Sequence, residues 1–277
     1  MNMKIFYLLL AAYFLPLQSF ALANDSVKLV LEELDAIIDN KLVYHTEKEK
    51  HIEVLKQKLK NDVSDEEKLD VYGQLFNDYL HYQADSSLYY IDERIRLLSS
   101  MEREDLEAET LISRAEVLGL IGMYTEALEE LKQIDSKTLD LKSLNYYYRV
   151  YCACYGWLAD YTTSKEVKRK YRQQADAYRD SILCVLTQDL DKDIVQAERY
   201  LMKGEVNKSI AMLKELLEKY PDRRQNAYIH YILSDAYERA GNQDMQIYYL
   251  AKTAIIDLKS AIREYASQPR VMTLMPQ

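Results

Sequence analysis

Six glycines and four prolines are few for a chain of 277 residues. Sheet proteins turn often and use these residues at the turns, and parallel sheets need glycine-rich crossovers. Their scarcity favours long helices joined by short connections. Cysteine is scarce as well. Cys152, Cys154 and Cys184 are an odd number, which leaves one unpaired and fits poorly with a disulfide scaffold. Two apart on an expected helix, Cys152 and Cys154 point to different faces and cannot bridge each other comfortably, although either could reach Cys184 across a helical hairpin. Buried small thiols are the simpler reading.

Catalytic patterns are missing too. The four histidines, His45, His51, His81 and His230, form no i, i+3 or i, i+4 pair that would place two imidazoles on one metal. There is no Gly-x-Ser-x-Gly elbow, no phosphate-cradling glycine loop and no Cys–His signature. The string Asp189, Asp191, Asp193 opens like a calcium loop, but that loop needs glycine at its sixth place and a carboxylate at its twelfth, where this chain has Ile194 and Tyr200. A solvated loop is expected instead, with Asp193 capping the next helix and Gln196 as its capping-box partner. The expectation is a protein that is not an enzyme, with no catalytic, cofactor or metal residues. A cysteine-dependent hydrolase around Cys152 and Trp157 ranks last.

Long apolar runs are confined to the N-terminus. Lys4 is followed by the apolar stretch Ile5 to Leu17 and by the small-x-small sequence Ala21-Leu22-Ala23, the layout of a cleaved secretory signal peptide over residues 1–23. A membrane span needs about 20 apolar residues, whereas this run is broken by Pro16 and followed by Gln18 and Ser19. No cysteine follows Ala23, which disfavours a lipid anchor. The mature chain is therefore expected to be exported to the periplasm, soluble and without a membrane span. The chain's net charge of −9 repels phosphate backbones and anionic lipids, so nucleic acid is not an expected partner.

What the chain does have is internal repetition. In LISRAEVLGLIGMYTEALEELKQI, from Leu111 to Ile134, the small Ala115 is followed by Leu118, Gly122, Tyr124, Ala127, Leu131 and Ile134. In the segment Ile194 to Pro221 the same places hold Ala197, Tyr200, Gly204, Ser209, Leu213 and Leu216, with Pro221 closing the second helix. A third copy, Tyr228 to Ile256, holds Ser234, Tyr237, Gly241, Ile247, Leu250 and Ala254. This spacing resembles the tetratricopeptide signature: a small residue lets two antiparallel helices touch, glycine ends the first, and a small residue in the second faces it. Two more degenerate hairpins are expected. One runs from Leu69 to Leu98 with Ser87 at the small position and no turn glycine; the other runs from Leu144 to Leu186 with a long connection, Thr162 to Lys170.

The expected fold is all-α: a right-handed α-solenoid of tetratricopeptide-like hairpins with an N-terminal helical cap. Residues 24–61 form the cap, with Val30, Leu34, Ile37 and Ile38, then Ile52, Leu55 and Leu59, at helical spacing to cover the first repeat. The array spans 62–267, with hairpins at about 66–100, 106–137, 143–187, 192–221 and 225–257 and a trailing helix; 268–277 is a disordered tail.

Tyrosine is abundant, at 25 residues. The groove lined by the first helix of each hairpin is expected to carry Tyr72, Phe76 and Tyr79, then Glu109 and Glu116, then Tyr228, Tyr231, Asp235 and Glu238, each set on one helix face. Tyrosine gives rigid contact area with a polar tip, suited to peptides or to stacking on sugars. Packing between repeats is the competing role for each of these residues. A groove with aromatic and acidic lining would favour an uncharged or basic extended ligand.

Four stretches carry a narrower likeness: Glu33 to Leu59, Asp85 to Leu97, Lys168 to Leu183 and Tyr248 to Ser267. They resemble the exported half of uncharacterised tetratricopeptide-type, membrane-anchored transcriptional regulators of Bacteroidales-type anaerobes, a domain of unknown function. The resemblance implies a one-component sensor, in which the repeat half precedes a membrane helix, a coiled coil and a cytoplasmic DNA-binding tail. This sequence ends at SQPRVMTLMPQ, where those parts would be expected, so DNA binding carries over to no residue here. The function so implied is a periplasmic sensor or protein-interaction module whose partner is a protein, peptide or glycan of the cell envelope. The alternative is a glycan- or peptide-capture accessory protein at the outer membrane, a class that is usually lipid-anchored and longer.

Overall fold

A computed structural model describes residues 25–101, 103–187, 190–221 and 225–262. The expected signal peptide 1–23, the expected tail 268–277, Asp189 and residues 222–224 lie outside the described residues. Everything regular that is described is helical: α1 (25–39), α2 (Lys41–Lys60), α3 (Asp65–Tyr79), α4 (Ala84–Met101), α5 (Glu104–Leu120), α6 (Tyr124–Leu131), α7 (Leu141–Tyr161), α8 (Lys165–Val185), α9 (Leu190–Met202), α10 (Val206–Lys219), α11 (Asn226–Arg239) and α12 (Gln243–Lys259). The chain divides into two compact units, His45–Arg199 and the pair of segments Met1–Tyr44 and Tyr200–Gln277.

Three glycines set the hairpin corners. Gly122, Gly204 and Gly241 have φ of 88°, 80° and 72°, a left-handed conformation that costs a residue with a Cβ about 1–2 kcal/mol. Each closes its helix by the same pair of bonds. Gly122 N–H donates to Gly119 O and Met123 N–H to Leu118 O; Gly204 and Glu205 repeat this to Leu201 and Tyr200, and Gly241 and Asn242 to Glu238 and Tyr237. That is the Schellman motif, which satisfies carbonyls a helix end would otherwise leave bare.

In the unit His45–Arg199, the part of α2 from His45 onward covers the first hairpin. Ile52 and Leu55 are buried, Lys48 Nζ reaches Asp78 at 2.6 Å, and the Tyr82 hydroxyl donates to Glu49. Ser64 caps α3 in a reciprocal box with Glu67. The first hairpin has no turn glycine; buried Ser87 donates to Phe76 O at 3.0 Å and fastens α4 against α3. A second cluster joins Ile112, Ala115, Leu118 and Leu131 to Tyr147, Val150, Tyr151 and Cys154. Tyr151 and Tyr178 stack between α7 and α8 with centroids 4.4 Å apart and planes 3° apart. The connection between these two helices is shorter than expected. Helix α7 runs to Tyr161 and α8 starts at Lys165, because the Ser164 hydroxyl accepts from Val167 N–H and starts the helix at once.

In the other unit, α11 and α12 pair and bury Leu233, Ala236, Leu250 and Ala254. Here the expected cap differs from the structure. Val30 and Leu34 of α1 lie against Leu250, Ala251, Ile255 and Leu258 of α12, so α1 covers the last repeat, where the first had been expected. The physical reason is charge as well as shape: Glu33 meets Lys252 at 3.0 Å and Lys259 at 3.5 Å. Asp193 also departs from its expected role, lying within the first turn of α9 rather than at its cap. Asp191 pairs with Arg149 at 3.5 Å.

Candidate functional site

Within the unit His45–Arg199, the first helices of three successive hairpins, α3, α5 and α7, line an open cleft of about 230 Å³. Phe76 and Asn77 come from α3, Glu109 and Ser113 from α5, and Lys142, Ser143 and Tyr146 from α7. Arg94 reaches the same cleft from α4. Much of the lining is fixed by internal bonds. Asn77 Nδ2 donates to Gly73 O at 2.9 Å, Ser113 Oγ donates to Glu109 O at 2.9 Å, and Ser143 N–H donates to the Asp140 carboxylate at 2.7 Å. The Tyr146 hydroxyl donates to Glu116. Burial first and the Glu116 carboxylate second push Tyr146 well above the usual phenol range.

The expected groove residues divide. Glu109 lines the cleft and pairs with Lys142 at 3.7 Å. Glu116 is engaged by Tyr146. Phe76 lines the cleft but is only 4% exposed and packs against Leu80, Ile91 and Val117. Tyr79, 3% exposed, is packing: it stacks on Tyr90 with centroids 5.7 Å apart, and Lys56 Nζ sits 5.4 Å from its ring centre. Tyr72 is half-buried beside Tyr90, and burial raises its pKa. In the other unit Tyr228 is exposed, Tyr231 packs beside α1 and α12, Asp235 is half-buried and Glu238 exposed.

The cleft's charge differs from the sequence expectation. Arg94 and Lys142 stand against one carboxylate, Glu109. The acidic lining read from the sequence is thus answered by cations, one of them from a second helix. Helix-face periodicity missed Arg94, because it sits on α4. The available signal was Gly73, a glycine inside a helix. A wider hollow of about 400 Å³ between α5 and α6 contains Arg114, but Asp92 and Glu130 hold that guanidinium at 2.7 and 2.5 Å.

Burial makes Cys152 and Cys154 poor nucleophiles. All three are free, Cys154 buried, Cys152 half-buried and Cys184 exposed, so the buried-thiol reading fails for Cys184. Burial pushes Cys152 up to about 11 and Cys154 up to about 12, away from the thiolate that chemistry would need. Among the described residues, no helix is long and apolar enough to cross a membrane.

Antiparallel helix pairs with left-handed glycines at their corners define an all-α helical repeat protein of the tetratricopeptide type. Residues 38–275 match the family described as the SusR N-terminal TPR domain, and the chain belongs to that family. Seventeen solved chains match. One is the crystal structure of a thermophilic TPR protein from Thermus thermophilus, with a TM-score of 0.54 and 21% identity, covering 76% of this chain and 98% of that one. At that identity the likeness bears on fold alone. No curated protein matches.

Proposed function

We propose that this chain is an exported binding module, the sensor-like portion of a transcriptional regulator, which takes up a protein or peptide of the cell envelope. The observation that carries the reading is the convergence of α3, α5 and α7 on one open cleft, a surface that stacked hairpins provide without catalytic groups. Membership of a family described by the N-terminal domain of SusR supports the sensor part of the reading, and the signal-peptide layout of residues 1–23 supports export.

A ligand that binds only the folded chain raises its melting temperature by mass action. Mature protein screened against cell-envelope peptides and glycans is expected to melt higher with a peptide class. A screen in which nothing shifts the transition and no envelope protein associates would remove the sensor reading. Cell fractionation tests export, which predicts the chain in the periplasmic fraction; tight outer-membrane association would favour the capture alternative.

A further inference from the structure

We propose that the cleft beside Gly73 receives a carboxylate carried by an extended peptide, with Arg94 as the group that engages it. This rests on the binding-module reading and adds the chemistry of the ligand.

Two local irregularities coincide here. The first is Gly73, buried in the middle of α3, where glycine weakens a helix relative to alanine. The second is Arg94, whose Nε is buried and has no hydrogen-bond partner. They explain each other. A methyl at Gly73 would stand 3.3 Å from Arg94 Nη1 and 3.5 Å from its Cζ, so the guanidinium occupies the space that the missing side chain leaves. The glycine lets a cation from α4 cross α3 and reach the cleft.

Four part-buried arginines of this unit have carboxylate partners: Arg114 with Asp92 and Glu130, Arg149 with Asp191, Arg179 with Asp176, and Arg199 with Asp180. Arg94 has none among the described residues. A helix-weakening glycine and an unanswered guanidinium at one place are a local cost that function explains better than stability does. The planar fork of arginine matches the two oxygens of a carboxylate through parallel N–H bonds, stronger than bonds between neutral groups.

Size and surroundings favour a peptide as the carrier. The cleft has room for an acidic side chain and its neighbouring backbone, and it is framed by the first helices of three hairpins, which suits an extended segment. A sugar ring would want an open aromatic face, yet Phe76 is buried and Tyr79 is stacked on Tyr90.

The test follows the Arg94 Nε–H resonance in 15N-labelled chain, identified by its loss in Arg94→Gln. Three probes are titrated: the blocked pentapeptide Ala-Ala-Glu-Ala-Ala, its glutamine counterpart, and digalacturonate. The glutamate peptide is expected to shift the resonance saturably and the glutamine peptide to leave it unmoved. Arg94→Gln should weaken binding of the glutamate peptide about tenfold or more. Its melting temperature should stay near wild type, since no internal ion pair is broken. Gly73→Ala, whose methyl crowds the guanidinium, should also weaken binding while keeping the helix. No shift with either carboxylate probe overturns the site, and a shift with digalacturonate alone overturns the peptide assignment. An envelope ligand that stabilises wild type and Arg94→Gln equally would leave the binding-module reading standing and sink the role of Arg94.

Discussion

Glu33 and Lys252 are 219 residues apart in the chain, and their side chains meet at 3.0 Å. The contact marks where α1 is seated. The Lys252 hydrogen bond, with the Lys252 and Lys259 charges behind it, holds the Glu33 carboxyl below the usual range. Both partners are partly exposed, so the pair is worth little beyond about 1 kcal/mol. Apolar burial does more of the seating, through Val30 and Leu34 against Leu250, Ala254 and Leu258.

Removal of that burial should therefore cost more than removal of the charge. Leu34→Ala is expected to destabilise the unit by about 2–5 kcal/mol, and Glu33→Gln by less than about 1 kcal/mol. Urea unfolding of each variant measures both. Equal effects would mean that the ion pair, and not the apolar face, holds α1 in place.

The corner glycines give a second prediction. Nothing lies within 4 Å of a methyl built at Gly204 or Gly241, so the cost of Gly204→Ala or Gly241→Ala is conformational alone, about 1–2 kcal/mol. Gly119 is a different case. Its methyl would stand 2.7 Å from the Trp157 ring and 3.1 Å from Cys154 Sγ, so Gly119→Ala should add overpacking of about 1–3 kcal/mol despite the better helix propensity of alanine. Thermal melts of all three variants should lie below wild type; Gly119→Ala melting at or above wild type would show that the Trp157 ring gives way and that helix propensity wins at that position.

His230 gives a pH dependence. Burial first, and the Lys252 charge second, lower its pKa from 6.5 to about 4, and its ring lies 5.8 Å from that of Tyr249. The folded chain thus disfavours the proton that the unfolded chain accepts below about 6.5. Stability from this residue is complete above that pH and is lost as the pH falls toward about 4, by at most about 3 kcal/mol. His230→Phe should flatten the loss over that interval in urea midpoints measured against pH; an unchanged slope would assign it elsewhere.

The repeat fold was legible because its main signals are local. Glycine at a corner and small residues at Ala115, Ala197 and Ser234 each report a contact within one hairpin, and all three small residues are fully buried. The short turn at Ser164 was missed because a serine cap looks like an ordinary polar loop residue until its partner, Val167 N–H, is placed. The seat of α1 was not legible: periodicity shows that Val30 and Leu34 share a face but carries no record of which distant helix meets it. The candidate site was read only in part. Glu109 lines the cleft as spacing suggested, whereas Tyr79 turned inward because its ring packs with Tyr90 and Tyr82. Arg94 escaped because its position depends on a missing Cβ on a neighbouring helix.

Binding on the face formed by α3, α5 and α7 is what the functional reading depends on. Lys142 stands on the rim of that cleft with its side chain 84% exposed, and Glu129 stands on α6, the second helix of its hairpin, also exposed. A photoreactive phenylalanine analogue in place of each, with cross-linking in living cells, tests that dependence most directly. Cross-linking to an envelope component from position 142 and none from 129 is the predicted result. Cross-linking from 129 with none from 142 would contradict it.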